Sequence, residues 1–363
     1  MNHKDRMRVA LLLGGDSSER EVSFMSGKAM ANALPRARFA VTIFDVALPA
    51  TRARHIHTGG DALGKKPQHA YMPVEWNQLT TTLYTGGFDV VLPALHGGWG
   101  EDGTLQALLE VAGIPYAGSP AHASTVAIDK QVCKAALAEY GIPVPRGKVI
   151  NALDELEEAG SEQFFFNVPV VIKPNGGGSS VGVTILREAP GTAPESTARL
   201  REAVAAALAD GNGALIEELI EGVEVTAAVL GEGRDARVLP LLEIVPHSEA
   251  GFYDFEAKYL PGGSQHITPP RLADDVQQRV TEYALRAHRA LGCRGVARSD
   301  FIVSSDGTPY FLEINTLPGM TQTSLVPDAA AAAGMSFAEL IETLITQTLQ
   351  RGRPGGVSNE PGT

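Results

Sequence analysis

The chain has 363 residues, 44% hydrophobic and 20% charged, with 39 Gly and 23 Pro, which is enough for two or three domains around a large buried core. Its formal net charge of -12 argues against nucleic acid or an anionic membrane as the main partner, because both demand basic surface. Cys133 and Cys293 are the only cysteines, too few and too isolated for a disulfide framework or a thiolate zinc site, and they fit a reducing cytoplasm.

Residues 7–13, MRVALLL, read as a buried strand. The run is too short for a signal h-region, and no run approaches the ~20 apolar residues of a membrane span, so a cytoplasmic protein without a membrane partner is expected. The spacing predicts a helix over 19–34, with Ser18 and Glu21 at capping-box spacing. A strand at 40–46, a loop or insertion at 51–72 and a buried strand at 88–95 follow. HGGWGEDG then opens into a helix from Thr104 to Val111, stopped by Gly113 and Pro115. Strand, Gly-rich loop and helix in repetition describe a small Rossmann-like parallel α/β domain ending near 120–125.

A helix is expected over 129–140, DKQVCKAALAEY, then strands at 168–173, 214–220, 223–230 and 238–246. A polar and aromatic loop covers 247–270, followed by a helix at 273–291, a hairpin, a helix near 336–350 and a disordered tail at 351–363. The fold class is α/β with α+β elements, divided at 1–125, 126–222 and 223–350.

The hairpin RSDFIVSSDGTPYFLEINTLPGMT begins at Arg298 and turns at Asp306 and Gly307. If the turn has two residues, Asp300 faces Glu313 and Arg298 faces Asn315, all on one face. Like charges opposed in this way destabilise a sheet. Either the face is solvated, or it holds a cation, and Mg²⁺ binds through one or two carboxylates plus phosphates. Ile302 and Phe311 extend the face as apolar, which favours burial and therefore a cation. Arg298 adds a fixed positive charge toward phosphate or an oxyanion.

Three further stretches bear on chemistry. IKPNGGGSSVG, Ile172 to Gly182, places a lysine at a strand end before three glycines and two serines. It reads as a loop whose amides cover phosphate, or as a flexible surface hairpin. Glu19 and His96 each follow a buried strand near its C-terminal end, where open parallel sheets bind ligands. Glu101 and Asp102 begin a helix, and capping is their preferred role. GFYDFEAKYL, Gly251 to Leu260, either pins its loop by aromatics or forms a lid with Lys258 and Tyr259 facing inward.

GGDSSEREVS, HGGWGEDGTLQALLE, PYAGS, the DK pair at 129–130, IKPNGGGSSVG, FYDFEAKY, GVARSDF and LEINTLPGMTQTSLVP together resemble the ATP-grasp superfamily and, within it, the D-alanine:D-alanine ligases. The resemblance covers roughly residues 8–345 and is far more specific than any one motif. It implies an ATP-grasp fold with ATP between two sheets. Lys130 and Lys173 match phosphate-binding lysines, with Ser180 in the covering loop. Glu217, Glu218, Leu219 and Ile220 match the adenine-contacting strand, and Glu224 the ribose-binding acid. Asp300, Glu313 and Asn315 match the ligands of two Mg²⁺ ions, for which Mn²⁺ is a substitute.

On the substrate side, Glu19 resembles the carboxylate that binds the first D-alanine's ammonium, in a network with Ser179 and Tyr259. His96 matches a histidine beside that substrate. Lys258, Gly319 and Ser324 match the region holding the second substrate's carboxylate and the oxyanion, and Arg298 the residue steadying the transferred phosphoryl group. The implied reaction is a two-step ligation through an acyl phosphate, within a homodimer. Gly177 and Glu218 depart from the family pattern, and 51–77 matches nothing in it. Competing readings are a D-alanine:D-lactate ligase, against which Tyr259 argues, and a non-catalytic ATP-binding module, against which the four hairpin residues argue.

Overall fold

The run MRVALLLG folds as β1 (Met7–Gly14), and both its faces are buried, as in a parallel strand covered by helices on either side. Val9, Leu11 and Leu13 face one apolar cluster, Ala10 and Leu12 another. The computed structural model describes residues 6–47, 69–158, 167–178, 182–191, 193–210, 212–247, 263–321 and 323–352. β2 (Phe39–Val46), β3 (Ala70–Val74) and β4 (Val90–Pro93) complete a parallel sheet in the order β3-β2-β1-β4.

The other two sheets are antiparallel. β5 (Gly147–Ile150), β6 (Val170–Pro174), β7 (Thr184–Leu186) and β8 (Ala214–Glu218) pair in the order β5-β8-β6-β7. The helix Pro194–Asp210 covers that sheet through Leu200, Val204 and Ala207. β9 (Gly222–Leu230), β10 (Arg237–Val238), β11 (Leu242–Pro246), β12 (Ser264–Ile267), β13 (Val296–Ser304) and β14 (Pro309–Asn315) form the third, ordered β12-β11-β9-β13-β14 with β10 beside β9.

The helix Asp274–Ala290 lies on one face of the third sheet through Val276, Val280, Ala284 and Ala287. Its other face joins the N-terminal core, where Ala228 and Leu230 of β9 share a cluster with β1 and the C-terminal helices Leu325–Ala332 and Phe337–Arg351. Among the described residues no single helix is long and apolar enough to cross a membrane. These last two helices together have the length, but they bend by 100° and supply buried core.

Several expectations are corrected. Ser18 does not cap the first helix, which runs Arg20–Ala33 with Glu19 at its N-cap position and no side-chain cap; the capping box lies instead at Ser336 and Glu339. Residues 70–72, expected in a loop, belong to β3, and Ser264–Ile267 is a strand within the expected 247–270 loop. The helix Ala121–Ile128 was not anticipated: AHASTVAI has small residues all round and no apolar stripe. A division at 125 falls inside it.

The hairpin departs most instructively. Three residues, Ser305 to Gly307, lie between Ser304 and Thr308, whose N–H···O bond measures 3.0 Å. Gly307 takes a left-handed φ of 81°, which a side chain would resist. The longer loop puts Phe301 opposite Phe311. A β-bulge at Leu312 then restores Asp300 opposite Glu313 and Arg298 opposite Asn315. Phe311 therefore leaves the acidic face expected for it and packs edge-to-face on Phe301, ring centroids 5.7 Å apart, in the core.

Candidate active site

Glu19 and His96 meet where β1 and β4 end. The buried Arg20 fixes the loop after β1 by donating to both oxygens of Asp45 at 2.7 and 2.9 Å and to the Gly15 carbonyl at 2.9 Å. Glu19 is 8% exposed and lies against two glycines. A Cβ on Gly97 or Gly178 would come within 3.0 or 3.2 Å of its Oε2, so both loops need a bare backbone to approach it. His96 is buried, with Nε2 3.1 Å from Ser26 Oγ. Burial holds its imidazole below its ordinary range against the opposing pull of Glu19, so it is neutral.

Asp102 does what was preferred for it, accepting from the Thr104 N–H at 2.9 Å. Glu101 does not cap. It turns into the site and accepts from the Gly97 N–H at 2.9 Å. Burial first, then the neighbouring Glu19, pushes its carboxyl up to about 8. Glu101 is thus protonated at neutral pH beside Glu19.

Lys130 is placed by the junction of a helix with β6. The Lys130 N–H donates to the Asn175 carbonyl at 3.1 Å, and Asn175 Oδ1 accepts from the Gln131 N–H at 2.9 Å. Asp129 caps the helix Lys130–Glu139 through the Val132 N–H. Lys130 Nζ bonds the Gly177 carbonyl and lies 3.7 Å from Glu313 Oε2. Lys173, on β6, pairs with the buried Glu217 of β8 at 2.8 Å. Lys134, not among the residues expected from the sequence, bonds the other oxygen of Glu217; its position four residues after Lys130 puts both lysines on one helix face.

On the hairpin, Arg298 grips Asp300 through Nε to Oδ1 at 2.9 Å and one terminal nitrogen to Oδ2 at 2.8 Å. Thr226 Oγ1 donates to Asp300 Oδ1 at 2.6 Å. The opposed acids are thus each matched by a cation. Asn315 Oδ1 accepts from the Leu317 N–H at 2.9 Å. Ser324 Oγ lies 2.7 Å from Thr321 Oγ1 and 3.0 Å from a Cβ built on Gly319.

Two adjoining cavities collect these groups. The smaller is lined by Glu19, His96, Glu101, Lys130, Arg298, Glu313, Asn315, Gly319 and Ser324. The larger, about 540 Å³, is lined by Lys130, Lys173, Glu217, Glu218, Leu219, Ile220, Glu224, Asp300 and Glu313. Glu218 also binds the Arg146 N–H at 2.9 Å, which gives the departing acid a structural partner. Ser179, Ser180, Lys258 and Tyr259 lie outside the described residues, as do most of the expected lid and the tail from 353.

Among the described residues no three of His, Cys, Asp and Glu gather as a metal cage. Asp300 and Glu313, directly opposed, with the Asn315 amide on the same hairpin, are a hard-oxygen set. Two carboxylates suit Mg²⁺ that takes its remaining oxygens from phosphate and water.

A family model described as D-ala D-ala ligase N-terminus matches residues 8–119, and one described as D-ala D-ala ligase C-terminus matches 136–346. The chain is 44% identical over 344 residues to a D-alanine–D-alanine ligase of Desulforudis audaxviator, covering 95% of this chain and 99% of that one. Identity is 43% over 343 residues to one of Gloeobacter violaceus, covering 94% and 100%. Among solved structures, it is similar to the Bacillus anthracis D-alanine–D-alanine ligase complexed with ATP, with TM-score 0.68, 28% identity and coverage of 95% and 98%. The VanG D-Ala:D-Ser ligase from Enterococcus faecalis superposes with TM-score 0.74 at 27% identity, covering 95% and 100%.

Proposed function

The chain belongs to the D-alanine–D-alanine ligase family, and from that premise we propose how its ATP-grasp site joins two D-alanines into D-alanyl-D-alanine for peptidoglycan precursors. One observation carries the account: Lys130 and Glu313 line both cavities. A carboxylate bound in the smaller one therefore abuts the phosphate end of a nucleotide in the larger one.

The larger cavity takes ATP, with its base toward 217–220, its ribose toward Glu224 and its phosphates toward Lys130 and Lys173. In the smaller cavity Glu19 takes the ammonium of the first D-alanine. Glu101, kept protonated by burial and by Glu19, adds no further negative charge to a cavity that Glu313 also lines. The substrate carboxylate attacks the γ-phosphate, giving D-alanyl phosphate and ADP. The second D-alanine enters on the Gly319 and Ser324 side, and its amine attacks the acyl carbon to expel phosphate. Arg298 holds the developing oxyanion with a fixed charge.

Asp300, Glu313 and Asn315 would hold Mg²⁺, which supplies charge neutralisation at the transferred phosphoryl group. The 176–182 loop with Ser179 and Ser180 and the 247–270 lid with Lys258 and Tyr259 shield the acyl phosphate from water. We further place the protein in the cytoplasm, as a homodimer, divided functionally at 1–125, 126–222 and 223–350; family membership supports the dimer, and the partition into three sheets supports three units, although the first boundary cuts the helix Ala121–Ile128.

We rest the preference for an amine acceptor over a hydroxy acid on Tyr259. The similarity to a D-Ala:D-Ser ligase makes acceptor choice the part to measure. With ATP, Mg²⁺, D-alanine and equimolar D-serine and D-lactate at neutral pH, chromatography should show D-alanyl-D-alanine as the main product. A majority of D-alanyl-D-lactate or D-alanyl-D-serine would overturn the assignment of the acceptor.

A further inference from the structure

Behind the nucleotide cavity stands a lysine that the cavity does not expose. The helix Lys130–Glu139 carries Lys130 and, one turn on, Lys134 on the same face. Lys134 is only 4% exposed, and it is absent from the lining that includes Lys130, Lys173 and Glu217. Its Nζ bonds Glu217 Oε1, while Lys173 Nζ holds Oε2 at 2.8 Å. Burial pushes the Lys134 amine down to about 7 against the upward pull of Glu217. Helix, β6 and β8 together bring two lysines to one buried carboxylate.

A single carboxylate needs only one of them. Polyphosphate is a stronger attractor for the lysine that faces the cavity, and a buried carboxylate stripped of its cation is strongly unfavourable. We propose that Lys134 is a positioning residue, the resident counter-ion of Glu217, which frees Lys173 to leave Glu217 for the phosphates of an incoming nucleotide. This assignment rests on reading the larger cavity as the ATP site. Burial presses the Glu217 carboxyl upward, yet Lys134 and Lys173 outweigh it and hold the group below the usual carboxylate range. Without Lys134, Lys173 is the only cation bonded to Glu217 among the described residues, and ATP must take it away.

The test uses the full-length protein. Lys134→Met should raise the KM for ATP about tenfold or more, leave the KM for D-alanine unchanged, and leave adenosine affinity by calorimetry within about twofold, because adenosine asks nothing of Lys173. Lys134→Arg, which keeps the charge, should restore ATP binding. A merely structural lysine would weaken adenosine and ATP together, and equal losses, or none, would overturn the proposal. If Lys134→Met does not fold, the pair Glu217→Gln and Lys134→Met/Glu217→Gln decides. With the carboxylate neutral, Lys134 is dispensable, so the double variant should match the single one in ATP KM, and a further tenfold loss would overturn the proposal. Failure of the wild type to make ADP with D-alanine would sink the ATP-site reading itself, a different result.

Discussion

Asp300 meets Glu313 across the hairpin, yet neither acid relies on the other's tolerance. Arg298 spans both oxygens of Asp300, and Lys130 lies 3.7 Å from Glu313. Strand alternation with an assumed two-residue turn made that confrontation readable from the sequence, because residues two apart share a face where no bulge intervenes. Glu101 was not readable in the same way. Its role is set by burial and by Glu19, which come together only when two loops fold over each other. The same burial gives it a measurable signature. Its folded carboxyl titrates near 8 against an ordinary 4.5, so between those values the folded chain keeps a proton that the unfolded chain has released. Stability from this group therefore falls as pH rises through that window. Glu101→Gln keeps an acceptor for the Gly97 N–H and has no proton to release. In calorimetry from pH 5 to about 8, the wild-type Tm should fall relative to that of the variant; parallel profiles would mean that Glu101 is ionised at neutral pH.

Among elements, β14 shows how a right pairing can follow from a wrong turn. A two-residue turn would have aligned Asp300 with Glu313 directly. The three-residue loop displaces the strand by one position, and the bulge at Leu312 returns it. No residue type announced the bulge, since an apolar Leu312 suits either face of a half-buried strand. The consequence is an exchange of faces: Phe311 is fully buried against Phe301, while Leu312 lines the larger cavity. Phe311→Ala should therefore cost about 3–5 kcal/mol of stability in chemical denaturation. Leu312→Ala should leave stability nearly intact and raise the KM for ATP. The reverse pattern would mean that the strand runs straight, without the bulge. The missed Ala121–Ile128 helix has a related cause, because its burial against neighbouring helices, and no periodic stripe, stabilises it.

At the scale of the whole molecule, the site exists because three sheets end in one place. β1 and β4 deliver Glu19 and His96, β6 and β8 deliver Lys173 and Glu217, and β13 and β14 deliver Arg298, Asp300 and Glu313. The sequence motifs named most of these residues, but not the core that holds them in register, in which the C-terminal helices pack with β1 and β9. On the proposed reading that convergence sets a substrate carboxylate beside a nucleotide phosphate, so that one attacks the other before any peptide bond forms. The most direct measurement uses D-alanine labelled with ¹⁸O in its carboxylate, with ATP and Mg²⁺, and mass analysis of the released phosphate. One ¹⁸O is expected in each phosphate formed, carried over when the acyl phosphate breaks. Phosphate free of label, with dipeptide still produced, would contradict it.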